Sequence, residues 1–277
     1  MQFKSLEDKC SYYRSLTDYK LLPNSYVLVI VDGRSFSHMI KNKFQKPFDD
    51  EFIRMMNETA QYVCKNVQGC KFAYVQSDEI SFVLTDFDTP TTGSFYNNRL
   101  CKMQSIIASL TTSKFNQLMT AYKFDKMVDE YGNSPKLSGN EVARLIGNMQ
   151  EYQFDCKCWN VPSINDVFAW FLYRQIDCIR NSKQQTAQTY LPYNALMNKD
   201  TDEQLALLIS EKGIDWNEFD DDKKYGRFIY KEEVTMTNPD NNETFTRYKW
   251  TVHPGFPLMT DYGRRKFLDI DAIPSFI

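Results

Sequence analysis

The sequence predicts an α+β fold: a four-stranded antiparallel sheet of the ferredoxin-like, split βαβ kind, with helices on one face and a smaller α+β extension after it. Three observations carry that expectation. Apolar strand-like runs and amphipathic helical stretches alternate up to Val161 in the order strand, helix, strand, strand, helix, strand. The second and third runs, 71–75 and 80–84, are separated only by Gln76-Ser77-Asp78-Glu79, the spacing of a tight hairpin. The first run, Tyr26 to Val31, is nearly all apolar, as in a central strand covered on both faces. The simplest packing of these elements has spatial order 4-1-3-2.

Each element has its own signal. Residues from Lys4 to about Tyr19 read as a short helix, with Pro23 ending the approach to the first strand. Arg34 to Gln45 lacks strong periodicity and reads as a loop closed by Lys46-Pro47. Asp49 or Asp50 caps a helix to about Val67, in which Phe52, Met56, Ala60, Val63 and Val67 recur at three- and four-residue steps. From Tyr96 to Tyr122, Leu100, Met103, Ile107, Leu110 and Leu118 share one helical face. Residues 123–151, with three glycines and Pro135, read as an insertion or mobile loop. Phe154 to Val161 is the fourth strand, and Ser163 with Asp166 starts a helix to about Tyr190. The division is a main unit of 1–191, carrying the four-stranded sheet, and an extension of 192–277. The extension holds a helix from Asp202 to Glu211 and a hairpin, 226–234 with 245–252, turning around Asn238 to Asn242.

Composition narrows the chemistry. No window of the 277 residues approaches the roughly 18 to 20 apolar residues of a membrane span. The first residues show neither a signal core nor an Arg-rich, acid-poor character, and the seven cysteines have no disulfide-framework spacing, so the expectation is a cytoplasmic protein. Two histidines leave no material for a His-rich metal centre or a His-based triad. There is no glycine-rich phosphate loop, and Ile30-Val31 stands where a covalent lysyl-nucleotide mechanism wants a lysine. Net charge is −3, yet basic residues gather at Arg174, Arg180 and Lys183, at Lys223, Lys224 and Arg227, and at Arg264-Arg265-Lys266. Such patches can hold phosphates on an acidic protein.

The order 4-1-3-2 has a chemical consequence. Strand one ends in Asp32-Gly33 at the sheet edge where the hairpin turns through Asp78-Glu79, so residues 46 positions apart become neighbours. An Asp-Gly after a strand, or an Asp-Glu in a hairpin, is by itself usually a solvated turn. Their coincidence at one sheet end suits Mg²⁺, which takes one or two carboxylates plus water and phosphate oxygens. Asp32, the Gly33 carbonyl and Asp78 are the candidate ligands of two ions, with Glu79 as an adjacent acid. Ser77, Arg34, Lys46, Arg99 and Lys102 are candidate phosphate contacts.

The motifs Asp32-Gly33-Arg34-Ser35-Phe36, Phe44-Gln45-Lys46-Pro47-Phe48-Asp49 and Tyr74-Val75-Gln76-Ser77-Asp78-Glu79-Ile80-Ser81-Phe82 resemble those of the tRNA-His guanylyltransferase family. Arg99-Leu100-Cys101-Lys102, Ile107-Ala108-Ser109, Phe154-Asp155, Pro162-Ser163 and Arg174-Gln175-Ile176-Asp177-Cys178 continue the resemblance, which spans roughly residues 25–190. It implies a palm-like fold, two Mg²⁺ on Asp32, Gly33 and Asp78, and triphosphate contacts from Ser77, Lys46, Arg99 and Lys102. It places Asp49 and Ser37 near the nucleotide. Substrates implied are tRNA and nucleoside triphosphates, GTP among them, with ATP activating a 5′ end. The assembly implied is a homotetramer. RNA contacts are expected from Arg174, Arg180, Asn181 and Lys183.

Two departures select a branch. Ile179-Arg180-Asn181-Ser182 follows the Asp-Cys where eukaryotic guanosine-adding enzymes carry His-Ile-Asn-Asn, and Ser37 stands in place of a histidine. The Arg-Asn-Ser version resembles guanylyltransferase-like proteins that repair 5′-truncated tRNAs by 3′→5′ templated addition. Guanosine addition to tRNA-His, a nucleotide cyclase and a catalytically silent RNA-binding protein are the alternative readings.

Overall fold

A computed structural model of the chain describes residues 3–39, 43–131, 151–237, 243–270 and 273–274. Six strands form one antiparallel sheet: β1 (Tyr26–Gly33), β2 (Cys70–Gln76), β3 (Glu79–Leu84), β4 (Phe154–Val161), β5 (Arg227–Thr237) and β6 (Thr244–Pro254). Their spatial order is β4-β1-β3-β2-β5-β6. The first four therefore lie as their sequence order predicts. What the four-strand expectation missed is that the later hairpin joins the same sheet. In a four-stranded sheet β2 would expose a row of unpaired backbone groups. Here β5 pairs along it, from Phe72 opposite Tyr230 to Val75 opposite Arg227. The turn expected around Asn238 to Asn242 lies outside the described residues.

The helices Asp50–Asn66 and Leu100–Tyr131 pack on one face of the sheet. Asp49 caps the first by accepting a 2.9 Å bond from the Phe52 amide. From it Met55, Met56, Ala60 and Val63 reach a core shared with Val27, Val29, Val31, Val75 and Phe82. The second helix is preceded by the short helical turn Phe95–Asn98 and continues nine residues past the expected end at Tyr122. The first part of the expected insertion is thus helix, and residues 132–150 lie outside the described ones. Phe36–Met39, expected to be loop, forms one helical turn that buries Phe36 among Phe115, Tyr152 and Phe154.

The expectation of helices on one face alone does not hold. Alternation along the strands sends Tyr26, Leu28, Phe72, Tyr74 and Val83 to the opposite side, and an apolar surface of that size must be covered. Helix Ile164–Tyr190, capped by Ser163, supplies Val167, Phe168 and Phe171 for that purpose, and Asp261–Leu268 adds Phe267. Phe171 sits at the centre, with its ring against Phe72, Tyr74 and Phe267. Phe171→Ala is expected to lower the free energy of unfolding, measured in urea, by about 3–5 kcal/mol. A loss under about 1 kcal/mol would show that this layer does not depend on it.

Candidate active site

The site is built by register. Asp32 near the end of β1 is directly opposite Glu79, the first residue of β3, and on its other side opposite Asp155 of β4. Antiparallel partners have Cα atoms about 4.5–5.5 Å apart, so three carboxylates stand abreast at one sheet end. Asp78 is added by the two-residue turn between Gln76 and Glu79. In that turn Ser77 holds φ at 44°, a left-handed conformation costing a non-glycine residue on the order of 1 kcal/mol. Its hydroxyl donates 3.0 Å to Asp78 Oδ1.

Gly33 lets the turn come close. A Cβ there would lie 2.8 Å from Asp78 Oδ2 and 2.4 Å from the Phe36 ring. Only an absent side chain leaves room for the Asp78 carboxylate beside the end of β1. Burial is the main force raising the Asp78 pKa to about 6, with the Asp32 charge adding to it. Asp32 keeps access to solvent, yet partial enclosure of its carboxyl and the charge of Asp155 hold it above the ordinary value. Two carboxylates destabilised as anions, beside a backbone stripped of its Cβ, form a donor set of hard oxygens. That fits Mg²⁺, whose remaining ligands come from carbonyl, water and phosphate. Among the described residues no three acidic, histidine or cysteine side chains make a complete metal cage.

Glu79 is differently placed. It is 8% exposed, and Arg174 clamps it with two bonds, Nε to Oε1 at 2.8 Å and Nη2 to Oε2 at 2.5 Å. Burial raises its pKa against the pull of Arg174. Arg174 also donates 3.1 Å to Asp177, so the arginine expected to touch RNA is held in ion pairs within the fold. Glu79 then steadies the turn that carries Asp78.

These residues line a cleft of about 690 Å³ over the sheet end. Asp32, Gly33, Ser77, Asp78 and Glu79 border it, with Ser37, Lys46 and Asp49 from the 35–49 segment and Arg174 and Asn181 from the 164–190 helix. Asp49 is already engaged, accepting from Phe52 and, at 2.8 Å, from the Gln45 amide. Other expected contacts are not in the cleft. Arg34 turns to Gln153, at 3.0 Å. Arg99 bonds Asp18 at 2.7 Å and Lys102 lies over the Tyr96 ring, where the 100–131 helix begins. That helix starts beyond Leu84, five residues along β3 from Glu79, or ~17 Å from the carboxylates. Arg180 is 61% exposed and pairs with Asp177, and Lys183 pairs with Asp202 at 3.2 Å. The cleft's other cations, Lys223 and Arg227, come from the extension. The sequence showed them as part of a basic cluster able to contact RNA phosphates, with no signal that they would reach this cleft. Asp155, the second residue of the fourth strand, was not among the candidate site residues, although the order 4-1-3-2 sets the start of that strand beside the end of β1, where Asp155 flanks Asp32. A groove of about 990 Å³ beside β5 lies toward the Cys70 end of β2 and holds none of the motif residues.

Paired carboxylates at a sheet end, under a cleft with flanking cations, define a phosphoryl- or nucleotidyl-transfer enzyme. The chain belongs to the Thg1 (tRNAHis guanylyltransferase) family, whose model matches residues 8–162, and with it to the 3′–5′ nucleotidyltransferases. It is 26% identical over 243 residues to a probable tRNA(His) guanylyltransferase of Dictyostelium discoideum, covering 84% of this chain and 85% of that protein. A bacterial Thg1-like protein solved in complex with ATP superposes with a TM-score of 0.75 at 29% identity, covering 96% of this chain and all of the other. A second bacterial Thg1-like structure, in complex with GTP, gives 0.72 at 27% identity over 97% of this chain and 99% of that one.

The raised Asp78 pKa has a stability consequence. Between the ordinary aspartate value of 3.8 and about 6, the folded chain binds a proton that the unfolded chain has lost. Stability of the metal-free protein therefore falls as pH rises through that window, by up to about 3 kcal/mol from this group. In chelator, Asp78→Asn should be the more stable protein at pH 8 and nearly equal to wild type at pH 3.5. Identical denaturation profiles across the range would contradict the placement of Asp78.

Proposed function

We propose that this chain is a Mg²⁺-dependent, template-directed 3′–5′ nucleotidyltransferase that restores the 5′ end of truncated tRNA. The observation that carries the reading is the register of Asp32 opposite Glu79, with Asp78 in the adjoining turn. The fold it uses is palm-like, with residues 1–191 as the catalytic unit and 192–277 as an extension. Asp32, the Gly33 carbonyl and Asp78 would hold two Mg²⁺. These ions, when bound, favour deprotonation of a nucleotide 3′-hydroxyl and stabilise the departing pyrophosphate. The hydroxyl oxygen bonds to the α-phosphorus at the RNA 5′ end while the bond from that phosphorus to the β-phosphate bridge breaks.

The chain's own residues orient the partners. Ser77 and Lys46 border the cleft and are suited to triphosphate oxygens. Glu79, held by Arg174, fixes the turn. GTP and other nucleoside triphosphates are the substrates, and ATP would activate a 5′-monophosphate end. Selection of the added base by pairing with the opposite acceptor strand needs no base-reading side chains, which suits a cleft whose polar groups address phosphates. Ile179-Arg180-Asn181-Ser182 and Ser37, together with the likeness to bacterial Thg1-like proteins, favour repair over guanosine addition. Addition of one guanosine to tRNA-His is the second reading, favoured by the likeness to the Dictyostelium relative. Arg99 and Lys102, remote from the carboxylates of their own chain, would serve the triphosphate only across a homotetramer contact.

The test uses a tRNA lacking its first nucleotide and bearing a 5′-triphosphate, with all four nucleotides and Mg²⁺. The added base should follow the base opposite the gap. Asp32→Ala and Asp78→Ala should each lose addition by on the order of 10³-fold or more, with RNA affinity nearly unchanged. Addition of G whatever lies opposite would establish the second reading, and lost RNA binding with catalysis preserved would contradict the site.

A further inference from the structure

Arg227 opens β5, and its partner across the ladder is Val75, three residues before Asp78. It is 5% exposed. Its Nε donates 3.1 Å to Asn57 Oδ1 on the 50–66 helix, while Nη2 is buried and donates to nothing. Among the described residues no carboxylate lies within ion-pair distance of it. Asp222 is the acid whose field reaches it, and Asp222 Oδ1 is likewise buried without a partner. Burying a guanidinium without an anion is unfavourable, and desolvation here weakens its hold on its proton. Yet this residue borders the same cleft as Asp32 and Asp78.

The other buried or half-buried cations of the cleft are satisfied. Arg174 is bound to Glu79 and Asp177, and Lys223 to Asp50 and Asp220. Across the sheet end, from β1 through β3 and β2 to β5, the charge passes from unpaired carboxylates to an unpaired guanidinium. Three strand spacings separate the two ends, ~14 Å between backbones, a span that an extended polyphosphate and an arginine side chain bridge together. A guanidinium also presents a planar fork suited to phosphate.

We propose that Arg227 is a phosphate-binding residue of the cleft, held by Asn57 and completed by a phosphate of a 5′-triphosphate group. The group comes either from the incoming nucleotide or from the RNA end. The assignment rests on the nucleotidyl-transfer reading, but its test needs no turnover. Calorimetric titrations of the full chain would use inorganic tripolyphosphate, GTP, and one RNA stem in 5′-triphosphate and 5′-hydroxyl forms. Arg227→Met should weaken tripolyphosphate about tenfold, the equivalent of one charge-assisted hydrogen bond, and Arg227→Lys should recover part of it. A parallel loss for GTP assigns the residue to the incoming nucleotide. Loss of the preference for the 5′-triphosphate RNA over its 5′-hydroxyl form assigns it to the RNA end. Either result supports the proposal. Unchanged tripolyphosphate affinity in Arg227→Met, or no tripolyphosphate binding by wild type, overturns it. Should Arg227→Met fail to fold in a thermal melt, Asn57→Ala leaves the guanidinium present but unheld. A loss of about threefold is expected there, and wild-type affinity would overturn the assignment. If Arg227 binds phosphate as expected while no nucleotide is ever added to RNA, it is the repair reading that fails.

Discussion

The pairing of β1 with β3 is the constraint on which the rest of the site depends. It sets Asp32 against Glu79 and brings the hairpin turn to the end of β1. A slip of one residue would turn Asp32 to the other face and exchange the two apolar layers. The register is fixed by the two cores it serves: Val27, Val29 and Val31 fill one and Tyr26 and Leu28 the other. The geometry of the site and core packing are thus a single condition on the chain. Gly33 adds the local requirement, since any side chain there would collide with both the Phe36 ring and the Asp78 carboxylate.

Electrostatics at this sheet end are asymmetric. Among the described residues no cation bonds Asp32, Asp78 or Asp155, which crowd one part, and burial makes the Asp78 anion unfavourable. Where a carboxylate has only to support the turn, as with Glu79, a buried arginine neutralises it. The unneutralised acids and the unneutralised Arg227 thus lie at opposite sides of one cleft, which Lys46 also borders. A folded protein tolerates such uncompensated burial mainly where binding relieves it.

Much of this was legible in the sequence because it is local or follows from topology. Tyr26–Val31 and 80–84 announce buried strands, the four-residue spacing fixes a hairpin, and the order of elements places Asp32 beside Asp78. A cap at Asp49 or Asp50 and one at Ser163 were readable from the residue types, and the structure selects Asp49 for the first. Other features depend on partners far apart in the chain, for which periodicity carries no information. The Glu79–Arg174 clamp joins β3 to a helix on the second face, so Arg174 looked like a free basic residue. The addition of β5 to β2 follows from an unpaired edge and not from any motif, and it is what brings Arg227 to the cleft. Arg99 lies outside the cleft for a related reason. Its position near the start of the helix read from Tyr96 to Tyr122 was visible, but not that this helix begins at the opposite end of the sheet.

The most direct test of the account is where a divalent cation binds. Crystals grown with Mn²⁺ and a nucleoside triphosphate would report it through anomalous scattering. The account predicts peaks at Asp32, the Gly33 carbonyl and Asp78, lost in Asp78→Ala. Anomalous density confined to other acidic stretches, such as the run from Asp200 to Asp222, with none beside Asp32, would contradict it.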